Sequence, residues 1–213
     1  MTDINKKKFY KNQAETIIKK LQVRKMEGYY ADTMEDAVAK VLELIGPASK
    51  SVAYGGSMTI DGSDLKAKIK EAGHDLIIRE NYKTDEEVKQ LKSKMINADT
   101  FLMSTNAITL DGELINIDGR GNRVSYLIYG PDQVIIIAGM NKVVKDVDEG
   151  LSRTRNIASP ANTVRLNRDT PCAKSGRCAD CFEQTICCQM VVTRCSMIPG
   201  RIKVVLVGEE LGY

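Results

Sequence analysis

The sequence predicts an α/β protein, a mostly parallel sheet flanked by helices, and three observations carry that prediction. Short apolar runs bounded by turn residues recur along the chain, as in "SVAYGG", "DLIIRE", "TFLMST" and "QVIIIAG". Between them lie amphipathic stretches whose apolar residues fall three or four apart, the spacing of one helix face. No repeat with a period of roughly 20–50 residues and no low-complexity linker interrupts the alternation, so residues 1–213 read as a single domain. Strands that alternate with helices are joined by crossovers, and crossovers build parallel sheets covered on their faces.

The elements follow in order. Residues 1–46 read as N-terminal helices. "NKKK" is the solvated start of the first, Phe9, Ile17, Ile18, Leu21 and Met26 supply its apolar face, and Gly28 stops it. Thr33 with Asp36 forms a capping box for the second, whose stripe from Met34 to Ile45 ends at Gly46-Pro47. "SVAYGG" is then a buried strand entering a tight loop. "DLKAKIKEAG" is a helix closed by Gly73, "DLIIRE" a strand, "TDEEVKQLKSKMINA" a helix opened by Thr84 and Glu87, and "TFLMST" another strand. The Asp111-Gly112 and Asp118-Gly119 turns mark a hairpin-like excursion with a strand at Glu113 to Ile117, followed by an apolar strand from Val134 to Ala138. "VVKDVDEGLSRTRNIA" is helical, Ser159-Pro160 opens a further helical turn, and Ile202 to Val207 is the last strand.

Composition narrows the function. Hydrophobic residues at 43% and charged residues at 28% are ordinary for a globular chain. Aromatics at 5% with no Trp leave no stacking surface for single-stranded nucleic acid. The net charge of +3 is the residue of 31 basic and 28 acidic side chains spread along the chain, so it sets up no field toward DNA or anionic lipid. Neither a nucleic-acid nor a membrane partner is expected. No run approaches the roughly 20 apolar residues of a membrane span, and no apolar block follows the lysine-rich start, so a cytoplasmic location is expected.

All six cysteines lie within residues 170–195, a cysteine-rich module inside the domain. Cys172, Cys178, Cys181 and Cys187 form C-x5-C-x2-C-x5-C. Two residues between the middle pair let both sulfurs converge from one tight turn, and the loop-forming Pro171, Lys174, Ser175 and Gly176 allow the chain to wrap. Four thiolates suit Zn²⁺ or an iron–sulfur cluster, and spacing does not choose between them. A redox pair at Cys178 and Cys181, or thiols that merely pack, are the competing readings. Cys188 and Cys195, beside the apolar "QMVV", are expected in the core.

Two further stretches are candidate ligand sites. "YGGSMT" falls at the carboxyl end of a predicted strand, where α/β sheets form crevices. Backbone N–H groups at Gly55 and Gly56, with the hydroxyls of Ser57 and Thr59, are placed to hold a phosphate or carboxylate, although a plain strand-to-helix turn has the same composition. The loop lacks a Walker lysine and a third dinucleotide glycine, so neither ATP nor NAD is predicted. "STNAITLDGELINIDGRGNR" concentrates polar groups after a strand. From it Asn106 and Arg123 are candidate ligand residues, Arg123 as a bidentate partner for an anion, and Asp111 or Glu113 is a candidate base or nucleophile. A polar hairpin explains the same stretch without chemistry. His74, the sole histidine, is expected at the surface beside a helix end.

Five segments in order, "YGGSMT", "STNAITLDGELINIDGRGNRV", "YGPDQVIIIAGMNKVV", "RTRNIASPANTVRL" and "VVLVGEELGY", resemble the LUD-domain family of the lactate-utilisation protein C type, in a short, cysteine-containing single-domain form. The likeness runs from about Tyr54 onward. It implies a sheet-and-helix fold like that of sugar-phosphate isomerases and CoA transferases, in which a Gly-Ser/Thr loop after an early strand binds phosphate and an acidic residue after a later strand carries chemistry. It also implies a link to oxidation of L-lactate to pyruvate beside iron–sulfur oxidoreductase subunits. Three readings follow: an accessory protein of lactate or organic-acid oxidation with a cysteine-bound metal or iron–sulfur centre; a small-molecule enzyme of the isomerase, CoA-transferase or cyclo-ligase class acting on a small anionic metabolite; or a scaffold with a structural zinc. A homodimer is the default assembly.

Overall fold

The computed structural model describes residues 3–213. Ten strands are formed among them: β1 (Glu27–Ala31), β2 (Ser51–Tyr54), β3 (Asp75–Leu76), β4 (Thr100–Met103), β5 (Ala107–Thr109), β6 (Leu114–Asp118), β7 (Gln133–Gly139), β8 (Val143–Val144), β9 (Gln189–Thr193) and β10 (Ile202–Val207). Six of them make one sheet in the order β1-β10-β7-β4-β2-β3, with every pair parallel. The other four make a smaller sheet, β8-β5-β6-β9, in which β6 is antiparallel to both neighbours. The helices are α1 (Ile4–Val23), α2 (Met34–Ile45), α3 (Met58–Asp61), α4 (Leu65–Glu71), α5 (Asp85–Ile96), α6 (Asn122–Ile128), α7 (Val147–Arg153), α8 (Ser159–Arg165) and α9 (Pro171–Ser175). None of the described helices is long and apolar enough to cross a membrane.

Alternation along the strands decides which helix covers which face. In β7 and β10, Val134, Ile136, Ala138, Val204 and Leu206 point to one side and meet Tyr10, Ala14, Ile17 and Leu21 of α1. Ile135, Ile137, Val205 and Val207 point to the other and meet Ala37, Val38, Val41 and Ile45 of α2. A strand buried on both faces must be apolar throughout, which is why "VIII" shows no polar alternation. Each fully enclosed Ile or Leu contributes roughly 1.5–3 kcal/mol, so the two layers together supply the bulk of the driving force.

Local signals hold the helix starts. Thr33 and Asp36 form the predicted capping box of α2, and Thr84 and Glu87 that of α5. Asp99, before β4, accepts from Ser51 Oγ at 2.6 Å, Ser51 N at 2.8 Å and Lys50 Nζ at 2.9 Å. Those donors hold its carboxyl well below the usual carboxylate range and pin the start of β2 to the start of β4.

Several expectations are corrected. Residues 1–46 contain a strand as well as helices: β1 lies between α1 and α2 and pairs with β10 at the edge of the large sheet. "EGYYA" carries no clean alternation, because it is half-covered on both faces. His74 is buried rather than exposed, since the turn at Gly73, with a φ of 80°, folds it back so that its N–H bonds the Ile69 carbonyl. Cys188 and Cys195 are exposed rather than in the core, because they flank β9, an edge strand whose side chains are at most half-covered.

Candidate functional site

Strands β2, β4 and β7 run parallel, so their carboxyl ends meet at one edge of the large sheet. Ligand crevices in open α/β sheets form there. The chain leaves β2 through Gly55-Gly56 into α3, leaves β4 through Ser104-Thr105-Asn106, and leaves β7 through Met140-Asn141-Lys142. These three exits, with α6, α8 and the Gly212–Tyr213 tail, enclose a cavity of about 260 Å³. Its size is near the lower end of small-molecule pockets, roughly 300–1,000 Å³, which favours a small metabolite over a dinucleotide.

Lys142 dominates the electrostatics. Its side chain is 3% exposed, and its ammonium donates to Ser104 Oγ at 2.9 Å and to Thr59 Oγ1 at 3.3 Å. Hydroxyls are its side-chain partners among the described residues, and no carboxylate acts on its charge there. Burial, with the charges of Arg153 and Arg123 nearby, lowers its pKa from 10.5 to about 7. The tail closes over it: Leu211 N–H bonds Asn141 Oδ1 at 3.1 Å, and a Cβ on Gly212 would stand 3.5 Å from Lys142 Nζ.

The two arginines are held by backbone carbonyls and, for Arg123, by two asparagine side chains as well. Arg153 donates to the carbonyls of Asn106 at 2.6 Å and Asn141 at 3.2 Å. Arg123 donates from Nη1 to Ser104 O and Asn116 Oδ1, and from Nη2 to Asn106 Oδ1 and Ile117 O, at 2.6–3.1 Å. Burial lowers the pKa of both guanidinium groups. Both of Arg123's terminal nitrogens are fully engaged inside the protein. Its fork is therefore closed to bidentate capture of an anion, and what it offers the cavity is charge. Asp118, the carboxylate on the cavity wall, accepts from the Arg123 and Val124 N–H groups at 2.9 and 3.2 Å and so caps the first turn of α6.

Of the residues singled out in the sequence, Gly56, Ser57, Thr59, Asn106 and Arg123 come together on this cavity. Gly55 stands just behind, where a Cβ would lie 3.1 Å from the Arg123 side chain. Ser57 Oγ accepts from Ile60 N–H and starts α3. Asp111 and Glu113 are elsewhere. They face α1, where Lys20 pairs with Asp111 at 3.0 Å and Arg24 with Glu113 at 2.8 Å, because the β5–β6 hairpin turns its tip away from the sheet edge. They dock the first helix, so the expected base or nucleophile is not brought to this cavity. The sequence does not single out Lys142, Arg153 or Asn162. The one available signal is a lysine directly after the apolar run "VIIIAGMN", at the carboxyl end of a buried strand.

One wall of the cavity is α8, and it is reached through an unusual backbone. Thr154–Ala158, between α7 and α8, form a π-helical turn. Pro160 has no N–H to donate to the preceding turn, and the ladder widens before it. The widening places Ala158 and Asn162 on the cavity.

The adjacent face of α8, carrying Ser159 and Thr163, meets the cysteines. Cys172 is buried, its sulfur 3.5 Å from Thr163 Oγ1 and 3.3 Å from Thr170 Oγ1. Cys187 donates to Ser159 Oγ at 3.3 Å. Burial pushes the Cys187 thiol up, the Ser159 hydrogen bond offsets part of that, and the neighbouring Cys172, Cys178 and Cys181 push it further. All six thiols are free. Among the described residues no group of three or more His, Cys, Asp or Glu side chains is positioned to hold a metal ion.

The LUD-domain family model matches residues 14–207, so the match reaches back well before Tyr54 and takes in the second half of α1 and all of α2. A DUF162 family protein from Deinococcus radiodurans, known from its crystal structure, superposes with a TM-score of 0.55 over 94% of this chain and 98% of its own at 16% identity, a likeness of fold. The eIF2B beta protein of Chaetomium thermophilum covers 55% of this chain and 45% of its own at 16% identity, with a TM-score of 0.36 too low to carry weight. No curated protein sequence matches the chain. With the six-stranded parallel sheet, its helical layers and the family match over most of its length, the chain belongs to the LUD-domain family.

Proposed function

We propose that the chain binds a small anionic metabolite of the organic-acid type in the cavity at the carboxyl ends of β2, β4 and β7, and that Lys142 moves a proton on it. One observation carries this reading: Lys142 is buried against hydroxyls only, with Arg123 and Arg153 beside it and no carboxylate of its own. A buried, unpaired cation is costly, and an incoming carboxylate or phosphate is the partner that would offset the cost. An amine whose pKa lies near neutrality is also matched to general acid or base work, because both of its protonation states are populated. Ser104 and Thr59 would orient the amine, and Asn162 and Arg165 of α8 would face the far end of the ligand.

The reading places the chain among enzymes of the isomerase or transferase type, handling a substrate such as a 2-hydroxy or 2-oxo acid within lactate or related organic-acid oxidation. The test is a thermal-shift and calorimetric panel of lactate, pyruvate, other small carboxylates and sugar phosphates on the purified chain. One chemical class should raise the melting temperature and bind one per chain, and Lys142→Met should abolish the effect. Absence of any shift across the panel, or a shift of equal size in Lys142→Met, would remove the proposal.

A further inference from the structure

We propose that Cys172, Cys178, Cys181 and Cys187 form a site for one thiophilic metal centre, an iron–sulfur cluster or Zn²⁺, seated on the Ser159–Thr163 face of α8, next to the face that lines the cavity. Ser159 and Thr163 are four residues apart on α8, so they share one face with Cβ atoms about 5–6 Å apart. Cys187 rests on the first at 3.3 Å and Cys172 on the second at 3.5 Å. Two sulfurs from opposite ends of the module therefore lie one helical turn apart. Arg155, one turn before Ser159, donates to Asp180, which sits between Cys178 and Cys181, so the middle pair is tethered to the same row. Asp180 has a φ of 50°, a left-handed conformation that non-glycine residues seldom adopt, and it makes a tight turn between Cys178 and Cys181.

The donor set is all sulfur, and the chain's lone histidine is buried in the turn between α4 and β3, its N–H on the Ile69 carbonyl. Thiolates alone select soft metals, which excludes magnesium and calcium. Among the described residues the four sulfurs do not yet stand in bonding positions around one centre. Residues 176–188, which carry three of them, contain no helix or strand, so closure onto a metal needs only adjustment of that segment. Its ends are already fixed: Cys172 on α9, and Cys188, whose N–H bonds the Asp118 carbonyl at 3.0 Å. Metal binding of this kind is coupled to ordering of the loop that supplies the ligands.

The test uses the full chain, produced with iron and zinc supplied and purified without oxygen, and reads iron, acid-labile sulfide, zinc and the visible spectrum. One centre per chain is expected. Roughly four irons with four sulfides and a broad visible absorption identify a cluster, whereas about one colourless zinc, replaceable by Co²⁺ with thiolate-to-cobalt charge-transfer bands, identifies the ion. Cys181→Ser and Cys187→Ser should lose at least about tenfold in metal content, while Cys188→Ser and Cys195→Ser should keep it. Should the first two fail to fold, the wild-type metal content and Co²⁺ spectrum still decide the matter. Less than about 0.1 equivalent of every metal in the wild type, full retention in Cys181→Ser, or a disulfide among the four in the oxygen-free protein would overturn the proposal. Metal content is read without any ligand in the cavity, so this site and the proposed function can fail separately.

Discussion

Lys142 Nζ stands 2.9 Å from Ser104 Oγ in a cavity whose wall also carries Arg123, and no carboxylate neutralises it. The arrangement costs the free protein stability, a cost that the proposed anionic ligand would offset. Four predictions follow from it and from the contacts that build it.

Stability should rise with pH above neutrality. A lysine held at about 7 in the folded chain and near 10.5 when unfolded is protonated in both states below pH 7, where its burial cost is felt in full. Between those values the unfolded chain binds more protons, so the free energy of unfolding increases with pH, by up to about 1.4 kcal/mol per unit. Urea unfolding at pH 6.5 and 8.5 should give a rise larger by about 1–2 kcal/mol in the wild type than in Lys142→Met, which lacks the titrating group.

Ligand affinity should move the opposite way. Anion binding favours protonated Lys142, so affinity is highest below about pH 7 and falls as the amine loses its proton, by up to about tenfold per unit. Lys142→Met should weaken binding at pH 6.5 by at least about 30-fold, the loss expected for a buried charge partner. Isothermal titration across pH 6–9 measures both.

Asp111 and Glu113 should separate from the chemistry. Glu113→Ala leaves the Arg24 guanidinium without its carboxylate beneath α1 and should lower stability by about 1–2 kcal/mol. Asp111→Asn, at an exposed pair with Lys20, should change stability by less than about 0.5 kcal/mol. Neither should alter the dissociation constant for the cavity ligand beyond about twofold, because neither side chain reaches the cavity.

Gly139 should not tolerate a side chain. A Cβ there would stand 2.5 Å from Asn141 Oδ1 and 2.6 Å from both Glu209 O and Leu211 N. Two of those contacts are backbone, so Gly139→Ala must displace the tail that closes over Lys142. The expected cost is about 1–3 kcal/mol with loss of ligand binding, read by chemical unfolding and titration of the same preparation.

The sheet was legible because its strands are buried on both faces, as in "VIII", and because Thr33-Asp36 and Thr84-Glu87 announce the helices they cap. β1 was not, since a half-covered edge strand shows neither a continuous apolar run nor alternation. The loop Gly55 to Thr59 could be placed on the site from its position after a strand. Asp111 and Glu113 could not be excluded that way, because direction of a hairpin depends on what its tip packs against, here Lys20 and Arg24 from the far end of the chain. Lys142 carries no signal in the sequence for a related reason. A lysine's meaning depends on the carboxylates around it, and their absence is a property of three dimensions.

The most direct measurement is an NMR titration of the Lys142 side chain in protein carrying ¹³C-labelled lysine, assigned by comparison with Lys142→Met. One lysine signal should titrate near pH 7, vanish in the variant and shift to higher pH when the cavity ligand is added. If every lysine instead titrates near 10.5, Lys142 is an ordinary solvated or paired cation and the site has been misread.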